Sequence, residues 1–178
     1  MKILLVYSSR TGNTERVANE IYDELNKDYE VNFKRIEDLK DSEVEEYKNI
    51  IVGFWIDQAY PDKEPKAFIE SLRDKNIGLF GTIGADPNSY HGERTLGNLD
   101  TIVDSSNNLI AKFLCNGKVD ENLLTRLKSM NRDHLPPGLT DEILDQMIEA
   151  GDHSREPNEE DFKNARNIFK EAFKALEN

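Results

Sequence analysis

The sequence predicts an α/β protein in which a five-stranded parallel sheet lies between two layers of helices, a three-layer sandwich. Short apolar runs bounded by polar residues occur at residues 3–7, 50–55 and 109–115, as expected for buried strands. These runs alternate with helical patterns of about 10 to 15 residues, which is typical of βαβ units. Such crossovers are right-handed and cover both faces of the sheet, and the strand order 2-1-3-4-5 is favoured.

The elements follow one another along the first two thirds of the chain. Val17, Ile21 and Leu25 have helical spacing, and Pro65 stands near the first turn of a second helix. The acidic stretch at residues 37–46 predicts a solvated loop and the start of a helix. The pattern predicts strands over residues 3–7, 30–36, 49–55, 77–83 and 109–115, and helices over residues 13–27, 64–74 and 94–107.

The remaining residues predict a helical insertion, residues 118–157, before a closing helix over residues 158–176. Short helices are expected at residues 121–130 and 141–149, and Phe162, Phe169 and Phe173 suggest that the closing helix packs back on the sheet. The insertion has too few apolar residues for a core of its own. We therefore expect residues 1–178 to form a single domain.

Composition excludes several classes of function. The net charge of −12 argues against nucleic-acid and anionic membrane partners, because phosphates would be repelled, but it suits a basic protein partner. Cys115 is the only cysteine, and the three histidines are scattered, so neither a disulfide within the chain nor a metal site is expected. The apolar stretch at the start is too short for a signal peptide, which predicts a cytoplasmic protein. No motif of nucleophilic or paired-carboxylate catalysis is present, so no catalytic residue is predicted.

The strongest motif directly follows the first strand and opens the first helix. It reads Ser9, Arg10, Thr11, Gly12, Asn13, Thr14. Free backbone amides and the helix dipole favour a phosphate there, hydroxyl and amide side chains add donors, and Gly12 lets the backbone fold around the anion. The loop lacks the lysine of a nucleotide-hydrolysing P-loop, so a monophosphate fits better. The alternative interpretation is an ordinary helix cap built from small polar residues.

At this motif the sequence resembles the flavodoxin family. The family's phosphate loop, Ser/Thr-x-Thr-Gly-Asn-Thr, is matched at every specified position, and the resemblance covers about residues 1–117 and the last helix. The resemblance implies FMN as cofactor, one- or two-electron transfer as activity, and a redox partner protein, either a reductase or a terminal enzyme. Some flavodoxin-like proteins with a longer segment before the last helix support dedicated reductases, including tetrapyrrole-reducing ones.

The resemblance further implies that two later loops line the flavin. A flat, apolar ring with a polar edge needs an aromatic face and backbone hydrogen bonds. Trp55, Tyr60 and Tyr90 are the candidates for stacking, and Tyr90 corresponds to the family's outer aromatic, although Trp55 is equally consistent with a core residue that ends a strand. The predicted residues are Trp55, Ile56, Asp57 and Tyr60 after the third strand, and Gly84, Ala85, Asp86, Tyr90 and Gly92 after the fourth.

Three functions remain open, and an electron carrier is favoured. Acidic side chains around the exposed ring edge would dock the partner. An FMN-dependent NAD(P)H quinone-type reductase would need a nicotinamide pocket, and the sequence contains no Gly-x-Gly-x-x-Gly. The intact phosphate loop counts against a scaffold without flavin. A phospho-acceptor receiver domain is excluded, because the first strand ends in Tyr7-Ser8-Ser9 without an acidic residue.

Overall fold

The structure is a computed structural model that describes residues 1–177. The strands are β1 (Lys2–Tyr7), β2 (Glu30–Arg35), β3 (Asn49–Asp57), β4 (Tyr60–Pro61), β5 (Asn76–Ile83) and β6 (Asn108–Asn116). The helices are α1 (Asn13–Leu25), α2 (Asp41–Val44), α3 (Lys63–Ser71), α4 (Tyr90–Ile102), α5 (Glu121–Lys128), α6 (Asp141–His153) and α7 (Glu159–Ala175). Single 3-10 turns occur at Ile36–Asp38 and Arg132–His134.

Five long strands form a parallel sheet in the order β2-β1-β3-β5-β6, which confirms the predicted order 2-1-3-4-5. The prediction of five strands was wrong by one, because the two-residue β4 pairs antiparallel with the end of β3. Gln58 and Ala59 make the turn between them, with positive φ angles of 48° and 65°. Such hairpin turns usually contain asparagine or glycine, so no sequence pattern indicated this one.

Helices cover both faces of the sheet, which confirms the three layers. Successive strand residues point to opposite faces. Ile3 and Leu5 of β1 therefore face α1 and α7 in one buried cluster, where Phe169 of the closing helix is fully buried. Leu4 and Val6 face α3 and α4 in the other cluster. The closing helix packs back on the sheet as predicted.

Asparagine side chains join the amino ends of the strands. Asn76 donates to Asn49 Oδ1 at 2.8 Å, and Asn108 donates to Asn76 Oδ1 at 3.1 Å. Asn49 in turn donates to the Lys2 carbonyl at 3.2 Å. This asparagine ladder links β1, β3, β5 and β6 at the edge of the sheet opposite the loops described below.

α4 differs from the prediction of residues 94–107, since it begins at Tyr90 and ends at Ile102. Ser89 caps the helix by accepting from the Gly92 amide at 3.3 Å, so the helix starts before the glycine that had suggested a loop. At the other end, Asp104 accepts from the Ser106 amide and hydroxyl in a tight turn that leads into β6.

The predicted insertion, residues 118–157, contains α5 and α6, and α6 runs four residues beyond the predicted end at residue 149. Within residues 1–177, none of the helices combines the length and apolar composition needed to span a membrane.

Candidate functional site

The loop at residues 9–14, called here the phosphate loop, lies at the carboxyl edge of the sheet between β1 and α1. The strand order reverses there, since α1 leads to β2 on one side of β1 and β3 lies on the other side. Gly12 has a φ of 89°, a left-handed conformation that favours glycine, and it caps α1. Ser9 Oγ accepts from the amides of Gly12 at 3.2 Å and Glu15 at 3.3 Å. The side chain of the first loop residue therefore holds the loop in a closed conformation.

Four of the five backbone amides of residues 10–14 find no acceptor within the described part of the chain. They belong to Arg10, Thr11, Asn13 and Thr14, whereas the Gly12 amide donates to Ser9 Oγ. Unsatisfied amides at a helix start carry partial positive charge and favour an anion. The Thr11 side chain is exposed beside them and adds a hydroxyl donor. The geometry suits a phosphate held mainly by backbone groups.

The other predicted donors of the loop fasten it to the rest of the fold. Asn13 Nδ2 donates to Thr11 Oγ1 at 2.9 Å and to the Lys118 carbonyl at 3.0 Å. Thr14 Oγ1 lies 2.9 Å from Thr82 Oγ1 of β5, and both side chains are buried. These contacts fix the shape of the loop in advance, so a ligand need not order it.

Arg35 and Tyr7 support the base of the phosphate loop, and sequence reasoning missed both. Arg35 donates to the Ser9 carbonyl at 2.9 Å, and its guanidinium lies 5.5 Å from the Tyr7 ring centroid. The Tyr7 hydroxyl donates to Glu15 at 2.8 Å. Burial, followed by the bond to Glu15, raises the pKa of Tyr7 to about 12. Only the pairing of β1 with β2 brings Arg35 here, and no local pattern indicates it.

The start of the insertion forms a wall beside the phosphate loop. A cavity of about 280 Å³ is lined by Thr11 and Asn13 on one side and by residues 118–122 on the other. Lys118 Nζ pairs with Glu121 at 2.6 Å, and this bond raises the pKa of the lysine. The sequence analysis assigns Lys118 to the insertion and predicts no contact between it and the phosphate loop.

The second predicted loop is a β-hairpin, which corrects its assignment as a loop. Trp55, Ile56 and Asp57 belong to β3, and Tyr60 belongs to β4. The half-buried Trp55 ring lies beside the phosphate loop, with the Arg10 guanidinium carbon 5.8 Å from its centroid.

Tyr60 packs partly against the core on the α3 and α4 side, with Lys66 Nζ 4.6 Å from its ring centroid. Of the two aromatics in this hairpin, Trp55 is therefore the one that contacts the phosphate loop.

The third predicted loop connects β5 with α4. Gly84, Ala85 and Asp86 lie in it as predicted, and Asn116 holds it by donating to the Ala85 carbonyl at 2.6 Å. Tyr90 and Gly92 instead form the first turn of α4.

The two residues in that turn have different environments. Gly92 packs so closely that an added Cβ would lie 2.0 Å from the Pro87 carbonyl oxygen. The Tyr90 side chain is 80% exposed and contributes little to the core. A cavity of about 740 Å³ also borders this loop, between β6, α7 and the end of α6.

A buried carboxyl group joins the residue just before the phosphate loop to the segment after the hairpin. Asp62 Oδ2 accepts from Ser8 Oγ at 2.7 Å, and the Asp62 amide donates to the Trp55 carbonyl at 3.1 Å. Burial raises the pKa of Asp62, and the bond from Ser8 partly opposes that effect. Sequence reasoning missed this residue, because an aspartate just before a helix normally indicates an N-cap.

Fold and site together define a class, the α/β proteins with a phosphate loop at the point where strand order reverses. The chain belongs to the flavodoxin family, since residues 4–170 match the model described as the flavodoxin domain. Two relatives are named flavodoxin-like domain-containing protein BilS. The one from Clostridioides difficile (strain CD3) is 35% identical over 132 residues, covering 73% of this chain and 74% of the relative. The one from Clostridium symbiosum (strain WAL-14163) is 29% identical over 143 residues, covering 73% and 75%.

Solved flavodoxin structures share the fold. The flavodoxin of Streptococcus pneumonia TIGR4 has a TM-score of 0.61 at 17% identity and covers 98% of this chain and 99% of its own. The Fusobacterium nucleatum flavodoxin bound to flavin mononucleotide has a TM-score of 0.52 at 15% identity and covers 98% of each chain. The family model confirms the resemblance to the flavodoxin family, and these structures confirm the fold.

Proposed function

We propose that this protein binds FMN and transfers electrons to or from a redox partner protein. The observation that carries the proposal is the phosphate loop, in which the amides of Arg10, Thr11, Asn13 and Thr14 lack acceptors at the start of α1. An FMN-bound member of the same fold, from Fusobacterium nucleatum, supports the choice of ligand.

The chain offers FMN a separate set of groups for each of its parts. The phosphate is assigned to the four amides without acceptors in residues 10–14 and to the Thr11 hydroxyl, and the Arg10 guanidinium adds a nearby positive charge. The flavin ring is assigned to Trp55 and to the backbone of residues 84–86, because an apolar ring favours an aromatic face with backbone groups at its edge. When bound, FMN supplies the one- or two-electron chemistry, while the chain holds and orients it.

Two exposed carboxylates flank the proposed ring site and favour a basic partner. Asp57 at the end of β3 and Asp86 in the third loop form no ion pair within residues 1–177. Their charge is part of a net charge of −12 on the chain, which would speed association with a basic surface. A dedicated reductase or a terminal enzyme is the partner class, tetrapyrrole-reducing enzymes among them. A cytoplasmic location stays a prediction.

Titration of the purified protein with FMN and with riboflavin tests the cofactor. We expect FMN to bind in a one-to-one complex and at least about tenfold more tightly than riboflavin, because only FMN offers a phosphate to the loop. Thr11→Ala should weaken FMN and leave riboflavin unchanged. Equal affinities for the two flavins would contradict the phosphate assignment.

Stopped-flow reduction of the FMN-loaded protein tests the activity. With a flavodoxin reductase as partner, we expect a rate that falls as salt rises, since exposed charges are screened within about 8 Å at physiological ionic strength. Asp57→Asn with Asp86→Asn should flatten this salt dependence. Asp23→Asn with Asp28→Asn removes the same charge at or just beyond the far end of α1 and should not. Fast NAD(P)H oxidation without a partner would favour a stand-alone reductase instead.

A further inference from the structure

Arg10 stands at the one position that the phosphate-loop motif leaves open, so phosphate binding does not require an arginine there. Its side chain extends to the hairpin, where the guanidinium carbon lies 5.8 Å from the Trp55 ring centroid. A guanidinium over an aromatic face is attracted by the ring's π electrons. Arg10 is exposed and Trp55 is half-buried, so a ligand that enters from solvent can contact both side chains.

The charge of Arg10 is not neutralised by the protein. Among the described residues its guanidinium forms neither an ion pair nor a hydrogen bond. Two other arginines also lie over aromatic rings, and both have carboxylate partners. Arg16 pairs with Glu156 at 2.7 Å, and Arg35 lies 3.7 Å from Glu15. Arg10 alone of these three arginines keeps a full positive charge, and it does so beside the aromatic ring to which the flavin is assigned.

A positive charge at this place acts differently on the two redox states of a flavin. The oxidised ring is neutral, whereas uptake of two electrons and one proton leaves the ring with one negative charge. A nearby cation therefore stabilises the reduced ring more than the oxidised ring. The exposed carboxylates of Asp57 and Asp86 flank the same site and act in the opposite direction. Arg10 is thus a cation placed against the acidic character of the surrounding surface.

We propose that Arg10 is a redox-tuning residue, whose guanidinium beside Trp55 stabilises the fully reduced, anionic flavin relative to the oxidised flavin. This proposal rests on the proposed binding of FMN, in which the redox partner supplies the two electrons and solvent supplies the proton. Arg10 thereby raises the two-electron potential of bound FMN. The residue adds a property to the phosphate loop that is separate from holding the phosphate.

The two-electron potential of bound FMN tests the proposal. It is measured by anaerobic titration against a reference dye, and together with the dissociation constant of oxidised FMN it gives that of reduced FMN through a thermodynamic cycle. We expect Arg10→Gln to weaken reduced FMN about three- to tenfold more than oxidised FMN, which lowers the potential by about 15–30 mV. Arg10→Lys keeps the charge and should change this ratio by less than about twofold.

Arg16→Gln is the matched control, because it removes the same charge from α1 at a site beside Phe162 instead of Trp55. We expect it to change the ratio of the two affinities by less than about twofold. Asp57→Asn removes a negative charge and should change the ratio in the opposite sense to Arg10→Gln. An equal loss of affinity for both redox states in Arg10→Gln would overturn the proposal and leave Arg10 as a phosphate ligand. A change as large in Arg16→Gln would also overturn it.

The FMN-free protein provides a second measurement, because Trp55 is the only tryptophan of the chain. Its fluorescence emission should change in Arg10→Gln and stay constant in Arg16→Gln. Unchanged emission in Arg10→Gln would show that the guanidinium does not contact the ring, and would overturn the proposal. If the unmodified protein binds neither form of FMN, the proposed function itself fails. Binding of both forms with the same ratio in Arg10→Gln refutes only the role of Arg10.

Discussion

The hydroxyl oxygens of Thr14 and Thr82 lie 2.9 Å apart, and this buried contact joins the first turn of α1 to β5. Thr14 is 1% exposed, so water cannot replace Thr82 as the hydrogen-bond partner of its hydroxyl. The phosphate loop is thus fixed to the strand that leads into the third loop. This hydrogen bond joins two segments that are separated by 68 residues in sequence.

Thr82→Val should lower the free energy of unfolding by about 1–2 kcal/mol, because the valine fills the space and leaves the Thr14 hydroxyl without a partner. Urea denaturation of the FMN-free protein measures the change, and Thr82→Ser, which keeps the hydroxyl, should lose less. A valine variant as stable as the unmodified protein would show that this contact contributes nothing to stability.

Tyr90→Ala should separate ring binding from folding. Since the side chain is 80% exposed, we expect a change of less than about 0.5 kcal/mol in the free energy of unfolding. Loss of the flavin contact that the family resemblance implies for Tyr90 should weaken FMN by more than about 1 kcal/mol and change flavin fluorescence. Trp55→Ala provides the comparison at the half-buried aromatic. If neither variant alters affinity or spectrum, the ring is held by other residues.

Asp62→Asn should stabilise the FMN-free protein at neutral pH. Burial raises the pKa of Asp62, so the folded state favours the protonated acid and disfavours the carboxylate. The stability from this group is present below the pKa of the unfolded chain and is lost as pH rises through the folded pKa. The advantage of the variant should therefore shrink on acidification to about pH 3, as urea midpoints at both pH values will show. An advantage independent of pH would contradict this explanation.

Glu24 should contribute to stability in the opposite pH direction. Its hydrogen bonds with Lys170 and Lys27 lower its pKa from 4.5 to about 2, and the bond with Lys170 of α7 fastens that helix to α1. That stability is present above the unfolded pKa and is lost as pH falls from about 4.5 to about 2. Glu24→Gln should thus destabilise the protein at about pH 6 and much less at about pH 3. Glu30→Gln, at the exposed pair with Lys2, should have little effect at either pH.

Much of the fold follows from the sequence, because buried parallel strands are short apolar runs and helices show a different period. The phosphate loop at residues 9–14 could also be predicted, because its residues are contiguous in the sequence. The β4 hairpin was missed because Gln58 and Ala59 adopt positive φ angles without the usual turn residues. The start of α4 was missed because Gly92 resembles a loop residue until its contact with Pro87 is seen.

The parts of the site that sequence reasoning missed depend on long-range contacts. Arg35 reaches Ser9 only through strand pairing, and Lys118 reaches Asn13 across 105 residues of chain. Asp62 was missed for a different reason. Its local environment describes a helix cap, whereas its side chain bonds to Ser8, 54 residues away.

The asparagine ladder gives the two ends of the sheet different tolerances to change. The hydrogen bonds among Asn49, Asn76 and Asn108 fix the register of neighbouring strands at the end of the sheet opposite the phosphate loop. The loops at the carboxyl edge can therefore change in length or sequence without shifting the strands beneath them. Because the ladder fixes the strands, we expect the sheet to accept loops grafted from related proteins at its carboxyl edge. The asparagines at the amino ends of the strands should be kept in any such design.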